Sequence, residues 1–286
     1  MPFGVEKAAL LGAAGVGGFE MTGGARTSAG GYNYETYTAS GTVTAVGEGT
    51  VDLILVGGGG GAYNTNSYTG GGGAGGVVHA TGVPMVAGDY TLTIGAAGAV
   101  TGNNPGGYSL LANLSLDGNN FNIIAGGGGY GGQGDGTCQA GGPGSSSMPS
   151  DGTYYYRSGG GGGGGGEWNG VCGGAGGFRG NEGSATTGTI GTWTTYNGGN
   201  GGTDSGGYGS GAGGGSGNGN HGGGTGSSQE GGAGYVWLDS EVYGRGGNGM
   251  NDGTIPPAVG LKGGGAGDQN APTRTAQDGV LIVRWS

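Results

Sequence analysis

The chain has 286 residues, of which 91 are glycine, 8 are proline and only 32% are hydrophobic. Collagen is excluded because it needs a strict three-residue glycine period with abundant proline, and a conventional hydrophobic core can form only part of the fold. The formal net charge is −10 with 8 lysines and arginines. Since these form no basic cluster, we do not expect nucleic acid to be a partner.

The first 30 residues are small, rich in glycine and alanine, and mildly apolar. We expect residues 1–30 to act as an arm that docks the chain onto a larger particle, outside the core. The segment lacks a signal-peptide pattern, because Glu6 and Lys7 precede its short apolar patch and glycines interrupt it. No apolar stretch approaches the roughly 20 residues that a transmembrane helix needs.

Alternating segments predict the first β-strands. The segment 31–37 places Tyr32 and Tyr34 on one face. The segments 42–46 and 50–56 flank a Gly-Glu-Gly sequence, which predicts a hairpin. Along the second of these strands apolar residues occupy both faces, so we expect both faces to be at least partly buried.

Further predicted strands lie beside glycine runs. They span 77–79, 89–94, 114–116, 121–124, 153–156, 189–196, 235–243 and 280–285. The Asp117-Gly118 pair predicts a hairpin turn between the strands 114–116 and 121–124. Helix signals are nearly absent, since no segment combines helical periodicity with caps.

The run 159–166 contains eight consecutive glycines. Because glycine destabilises helix and strand interiors, such a run is a flexible linker unless something orders it. An extended left-handed threefold helix directs its N–H and C=O groups outward. Several such helices can lie about 4.8 Å apart and bond to one another, which satisfies their amides. The runs recur and are bounded by strands, so we favour this ordered arrangement.

The distribution of residue types predicts the organisation of the chain. Aliphatic strands cluster in 31–125 and 278–286, which we expect to form a β framework. The segment 126–277 is mostly glycine and is predicted to be an insertion ahead of the last strand. We therefore expect one domain over 31–286: an all-β framework, a small antiparallel sandwich, with a bundle of polyglycine II helices and almost no α-helix.

No pattern predicts catalysis. Strings of the form G-x-G-x-x-G recur but never connect a strand to a helix, and no glycine precedes a lysine as in a phosphate loop. A nucleophile elbow is also missing. His79 follows two valines and is interpreted as a strand-end residue, and His221 as a loop residue. Loop Asp and Asn residues do not complete a calcium loop, so we expect no enzyme activity, no cofactor and no metal site.

Two cysteines, Cys138 and Cys172, lie in glycine-rich loops without metal-type spacing. They could form one disulfide if the protein assembles or works outside a reducing cell. Two free thiols are the alternative, and the sequence does not choose between them.

Aromatic residues in the glycine-rich part are the strongest sign of a binding surface, because aromatic side chains and arginine are the usual interface anchors and tyrosine amid glycine and serine is typical of antibody paratopes. Tyr154, Tyr155, Tyr156 and Trp168 flank the longest glycine run and are predicted at exposed loop tips. The candidate contacts are Tyr154, Tyr155, Tyr156, Arg157, Trp168, Trp193 and Tyr196. For Trp193 and Tyr196 packing is an equal alternative, and Trp237 is predicted to cap the glycine bundle or to fill its junction with the sheet.

Four blocks of the sequence carry a resemblance to a known family. They are, in order, VDLILV (51–56) followed by five glycines, GDYTLTIG (88–95), IIAG (123–126) and DGVLIVR (278–284). In this order they resemble the glycine-rich domains of tailed-phage tail fibres and adhesins, over residues 31–286. A related module occurs in the ectodomain of anaplastic lymphoma kinase, a receptor.

The resemblance implies a β framework that encloses polyglycine II helices, in a protein made in the host cytoplasm and acting extracellularly on the virion surface. Loops at the end of the bundle would bind a host receptor, either a glycan or an outer-membrane protein. Other virion proteins would bind residues 1–30, and a homo-oligomer is compatible with the sequence. The main alternative is a purely structural virion protein, a capsid decoration or fibre component without a receptor. A glycan-degrading enzyme ranks third.

Overall fold

The structure is a computed structural model of the chain. It describes residues 18–62, 70–99, 104–116, 119–132, 154–158, 160–163, 192–195, 204–205, 222–223, 231–232, 234–247, 262–265 and 275–286. Within these ranges the protein is all-β and contains no helix. The predicted fold class is confirmed at this level.

The strands are numbered in chain order. They are β1 (Glu20–Thr22), β2 (Ala25–Ala29), β3 (Tyr32–Tyr37), β4 (Gly41–Val46), β5 (Gly49–Val56), β6 (Val77–Met85), β7 (Gly88–Thr93), β8 (Ser109–Leu116), β9 (Asn119–Ala125), β10 (Tyr154–Ser158), β11 (Thr192–Thr195), β12 (Asp204–Ser205), β13 (Gly222–Gly223), β14 (Tyr235–Val236), β15 (Val242–Tyr243) and β16 (Val280–Trp285).

Twelve of these strands form two six-stranded sheets. The first sheet has the order β1-β4-β7-β8-β9-β10, and the second has the order β11-β6-β5-β16-β3-β2. Neighbouring strands are antiparallel except for β9 and β10, which are parallel. The remaining strands pair as β12 with β13 and β14 with β15.

The main hydrophobic core lies between the two sheets. Val43 and Leu111 of the first sheet belong to the same buried cluster as Leu53 and Leu281 of the second. Alternation along each strand sends these side chains inward, and burial of apolar area from both sheets holds the sandwich together.

A second apolar cluster covers the outer face of the second sheet. Ile54 and Ile282 contribute from the sheet, and Trp237 and Tyr243 contribute from the hairpin that β14 and β15 form. Strand β5 is therefore buried on both faces, as its apolar residues on both faces predict. Trp237 is only 3% exposed and packs with these sheet residues, so it is packed, as predicted, and not part of an exposed surface.

The predicted hairpin between 42–46 and 50–56 is wrong. Strand β4 pairs with β1 and β7 in the first sheet, whereas β5 pairs with β6 and β16 in the second. The physical reason is that the two strands differ in how many of their faces are buried. Val43 and Ala45 are buried while Thr42 and Val46 are exposed, so β4 suits a sheet with one solvated face, and β5 needs the sheet whose outer face is covered.

The other predicted hairpin is confirmed, because β8 and β9 pair in antiparallel register. The segment 235–243, predicted as one strand, is instead the tight hairpin β14–β15. Asp239 Oδ1 accepts a 2.9 Å hydrogen bond from the Glu241 N–H, and Ser240 has a positive φ of 68°. Such a local side-chain bond favours a turn over a continuous strand.

The N-terminal segment and the glycine-rich part both contribute strands to the sheets. Residues 20–29 of the predicted arm form β1 and β2, at one edge of each sheet. Strands β10 and β11 come from the predicted insertion 126–277 and form the opposite edges. The expectation that the arm lies outside the core is therefore wrong for residues 20–29, since Met21 is fully buried in the main core. Residues 1–17 lie outside the described residues, and the docking role of the arm stays a prediction.

Candidate functional site

Glycine-rich segments continue the strands beyond one end of the sandwich. Most of them follow or precede a strand at the end where Val56, Ala125 and Val280 lie. We call the following segments the glycine bundle: 57–62, 70–76, 94–99, 104–108, 126–132, 160–163, 231–232, 244–247, 262–265 and 275–279. Their backbone groups bond to one another across the bundle.

The run 57–61 shows the hydrogen-bond order of the bundle most clearly. Its successive N–H groups donate to three neighbouring segments in turn, at N···O distances of 2.8–3.0 Å: Gly57 and Gly60 to 70–76, Gly58 and Gly61 to 104–108, and Gly59 to 275–279. A return to the same neighbour after three residues is the period of an extended threefold helix. The polyglycine II conformation of the runs stays a prediction.

The same period recurs between two other segments. The N–H groups of 70–76 reach the carbonyl oxygens of 126–132 at every third residue: Gly70 to Gly132, Gly73 to Gly129 and Gly76 to Gly126, at 2.7–3.0 Å. Buried peptide groups need such partners because unpaired ones cost free energy comparable to a lost hydrogen bond. Backbone hydrogen bonds therefore hold the segments of the bundle in place, as packed side chains do in an ordinary core.

Only glycine fits these positions. A Cβ atom added to any residue from Gly57 to Gly61 would lie within 3.0 Å of a carbonyl oxygen in a neighbouring segment. The blocking oxygens belong to backbone rather than to flexible side chains, so they cannot move aside cheaply. The same holds for Gly127 against Gly106 and for Gly160 against Gly127.

The bundle and the first described residues lie at opposite ends of the sandwich. Strand β16 begins at Val280 beside the bundle and ends at Trp285. Phe19 packs edge-on against Trp285, with ring centroids 6.1 Å apart and an interplanar angle of 86°. The described part of the chain therefore begins at the end of the sandwich away from the bundle.

The predicted tyrosine contacts lie in a strand. Tyr154, Tyr155, Tyr156 and Arg157 belong to β10, the edge strand of the first sheet, and pair in parallel with β9. The loop-tip placement of these tyrosines is corrected accordingly: the chain satisfies their backbone groups by adding a strand to the open edge of β9. Their role in binding stays a prediction.

Trp193, another predicted contact, lies in β11, where it is paired with Ala80 of β6. Strands β10 and β11 contact each other across the edges of the two sheets. The structure therefore brings the tyrosine strand and Trp193 to one side of the sandwich. Four other predicted residues lie outside the described residues: Trp168, Tyr196, Cys138 and Cys172. His221 lies outside them as well.

A groove that the sequence did not predict lies on the outer face of the second sheet. It has a volume of about 660 Å³ and runs between the sheet and the β14–β15 hairpin. Its lining includes Tyr32, Tyr34, Asp239, Tyr243, Lys262 and Arg284. The alternation of Tyr32 and Tyr34 indicated that one face of this strand is aromatic. It did not show that a distant hairpin would form the opposite wall of a groove.

Polar side chains in the groove are held by specific bonds. Arg284 makes hydrogen bonds of 2.7 and 3.1 Å to Asp52 Oδ2, and its guanidinium lies 4.2 Å from the ring centroid of Tyr32. The Tyr243 hydroxyl donates a 2.6 Å bond to Asp239 Oδ2. Burial, followed by this bond to Asp239, raises the pKa of Tyr243 well above its ordinary range, so the phenol stays a neutral donor.

A histidine lies beside the aromatic residues that cover the second sheet. The hydroxyl of Tyr235 is 2.6 Å from His79 Nδ1, and the ring of His79 is edge-on to Trp237 at 6.5 Å. His79 is the third residue of β6 and is half-buried. Burial lowers its pKa, which favours a neutral ring that accepts from or donates to the tyrosine according to its tautomer.

The described residues contain no group of three or more His, Cys, Asp or Glu side chains placed to hold a metal ion. In the same ranges the structure shows no helix of the length and apolar character that crossing a membrane requires. The expected lack of a cofactor and of catalysis stays a prediction.

Comparison with known proteins identifies one family. The family described as Glycine-rich domain matches residues 36–241, more than two thirds of the chain. The matched interval begins in β3 and ends inside the β14–β15 hairpin, so it includes strands of both sheets and most segments of the bundle. No curated protein and no solved structure matches the chain.

Proposed function

This chain belongs to the glycine-rich domain family, and we propose that it is a bacteriophage virion surface protein of the tail-fibre or adhesin type. In this function it binds a host receptor, a glycan or an outer-membrane protein, and catalyses no reaction. It is made in the host cytoplasm and acts outside the cell on the particle surface. Residues 1–30 attach it to other virion proteins, and a homo-oligomer is compatible with this role.

The observation that supports this proposal most strongly is that the start of the described chain and the free end of the glycine bundle lie at opposite ends of the fold. The described chain begins beside Trp285, whereas the free end of the glycine bundle lies beyond the opposite end of the sandwich. A protein that is attached at one end and binds at the other needs these two ends to be far apart. The bundle separates them without a side-chain core.

The bundle also suits a variable binding end. Its segments are fixed by backbone hydrogen bonds that run between positions far apart in sequence, such as Gly59 and Gln277. The sequence that connects 62 to 70, or 99 to 104, can then change without changing the bundle. Binding residues commonly lie on such connections above a rigid scaffold.

A purely structural virion protein is the second candidate. It gains support from the position of Tyr154, Tyr155 and Tyr156 in the edge strand β10, because residues of a sheet edge often contribute to subunit contacts instead of to a loop that reaches a receptor.

Host adsorption separates the two candidates. Trp168→Ala, and separately the triple replacement of the β10 tyrosines by Ala, are placed in the intact particle. If the proposal is right, at least one of these changes abolishes adsorption while particles still assemble. Val236→Ala is the matched control, because Val236 is 61% exposed on the β14–β15 hairpin and is not a predicted contact. Normal adsorption by both variants would favour the structural candidate.

A further inference from the structure

The groove on the outer face of the second sheet has the shape and the side chains of a small ligand site. Its volume of about 660 Å³ falls within the range of roughly 300–1,000 Å³ that is common for such sites. Val280 and Ile282 form an apolar floor, and Tyr32 and Leu238, which are 39% and 41% exposed, stand at its rim.

The polar groups of the groove are few and directional. Asp239 uses its two oxygens on the Tyr243 hydroxyl and the Glu241 N–H, and each carboxylate oxygen has a further lone pair for a ligand hydroxyl. The Arg284 guanidinium is already balanced by Asp52. No carboxylate in the described part of the chain lies within ion-pair distance of the Lys262 ammonium.

This combination matches the chemistry of an acidic sugar. A pyranose ring offers an apolar face of C–H groups that packs on aromatic rings, and hydroxyls that hydrogen bond to carboxylates. A sugar carboxylate would place its charge against Lys262, which has no carboxylate partner among the described residues. General attraction of anions does not explain the site, because the chain as a whole carries a net charge of −10 and repels them.

We propose that this groove binds an acidic saccharide, a sugar that carries a carboxylate, through Tyr32, Tyr34, Asp239 and Lys262. The proposal deepens the proposed function, on which it rests for its biological setting: the saccharide belongs to the host surface. The site is separate from the end of the glycine bundle. It would give the protein a second contact with the host on the side of the sandwich.

An added peptide strand is a poorer occupant. Strand β3, beneath the groove, is paired with β2 on one side and with β16 on the other. Its backbone groups are therefore engaged and cannot bond to an incoming strand, which is how an extended peptide gains affinity. The groove offers side chains to a ligand, and an apolar floor with aromatic and polar side chains around it suits a saccharide.

Calorimetric titration of the full chain with tri-galacturonate and with its methyl ester tests the proposal. The ester keeps the ring and hydroxyls and removes the charge. We expect the acid to bind and the ester to bind at least about tenfold more weakly. Lys262→Gln should remove this preference and Lys262→Arg should keep it. Tyr32→Ala should weaken both ligands at least about tenfold, whereas Tyr32→Phe should retain binding.

Val236→Ala serves as the matched control, since it lies on the same hairpin but does not line the groove. The proposal is overturned if neither saccharide binds, if acid and ester bind equally, or if Lys262→Gln binds the acid as the native chain does. The titration does not depend on adsorption. If adsorption fails to involve this protein at all, the proposed function is lost and a positive titration still establishes the groove as a saccharide site.

Discussion

The hydroxyl of Ser109 donates a 2.7 Å hydrogen bond to the carbonyl oxygen of Val56, the last residue of β5. The same hydroxyl accepts a 2.9 Å bond from the N–H of Gly95, and Ser109 is fully buried. One side chain from the first sheet thereby satisfies a backbone group of the second sheet and one of the glycine bundle. It joins the three parts at their common boundary.

Removal of this hydroxyl should destabilise the protein measurably. Ser109→Ala leaves the Val56 carbonyl and the Gly95 N–H without their partner, and an unsatisfied buried group costs about 1–3 kcal/mol. Chemical denaturation measures the free energy of unfolding. Ser28→Ala is the control, because Ser28 bonds to Asn33 at an exposed position and should change stability by less than about 0.5 kcal/mol. Equal effects of the two changes would contradict the assigned role of Ser109.

Glycine positions in the bundle should differ sharply from glycines in the sheets. Gly59→Ala places a methyl group against the Gly264 carbonyl, and we expect failure to fold or a large fall in the melting temperature. Gly88→Ala in β7 meets no atom within 4 Å and has no positive φ. It should be neutral or stabilise by about 0.4–1 kcal/mol. A bundle that tolerates Ala at Gly59 would not have the packing described here.

Two truncations divide the predicted arm. Removal of residues 1–17 should leave the melting temperature unchanged and abolish attachment to the particle. Removal of residues 1–30 also deletes Met21, which is fully buried, and the partners of the buried carboxylate of Glu35. Glu35 accepts from the Gly24 N–H at 3.0 Å and from Arg26 at 3.1 Å, so the longer truncation should destabilise the sandwich.

Thermal unfolding and an attachment assay on both truncations check this expectation. If the shorter truncation unfolds the protein, residues 1–17 belong to the folded core. If it leaves attachment intact, the docking role must lie elsewhere on the chain.

Stability should fall as the pH decreases from neutrality. Burial lowers the pKa of His79; a smaller effect of Asp52 raises it and one of Arg284 lowers it. The folded-state pKa thus lies below the unfolded value of about 6.5, so the unfolded chain binds the proton first. The contribution of neutral His79 is present above about pH 6.5 and is lost as the pH falls toward the folded-state pKa.

Melting temperatures between pH 7.5 and 5.5 measure this effect. His79→Gln should flatten the pH dependence in this interval, where most carboxylates stay ionised. His221→Gln, which replaces the other histidine, should leave it as in the native chain. An unchanged slope in His79→Gln would assign the pH dependence to other groups.

Local patterns were sufficient to predict most strands but not which sheet each one joins. Val51, Leu53 and Leu55 alternate with Ile54 and Val56, and this pattern correctly indicated a strand buried on both faces. The short Gly-Glu-Gly connection before it predicted a hairpin. The prediction failed because a turn sequence indicates only that the chain reverses direction, and does not determine which strand the next one pairs with. The deciding fact is that the outer face of β5 is covered by a hairpin about 180 residues later in the chain.

The candidate sites were less predictable for the same reason. The aromatic content of the glycine-rich part and a strand over 153–156 were both predicted, but the place of this strand in the first sheet depends on the open edge of β9. The groove combines Tyr32, Asp239 and Lys262, which no local window contains together. A glycine run predicts that other backbone segments pack closely against it, but the sequence does not show which segments these are.

The position of β16 has a consequence for the order in which the protein folds. This last strand lies between β5 and β3 in the second sheet, and Gln277 just before it accepts from Gly59 and donates to Gly264 in the bundle. Neither the second sheet nor the bundle can close until Gln277 and β16 are in place. Because contacts between distant positions form slowly, we expect both to close late in folding, with the edges of β3 and β5 meanwhile open to pairing with other chains.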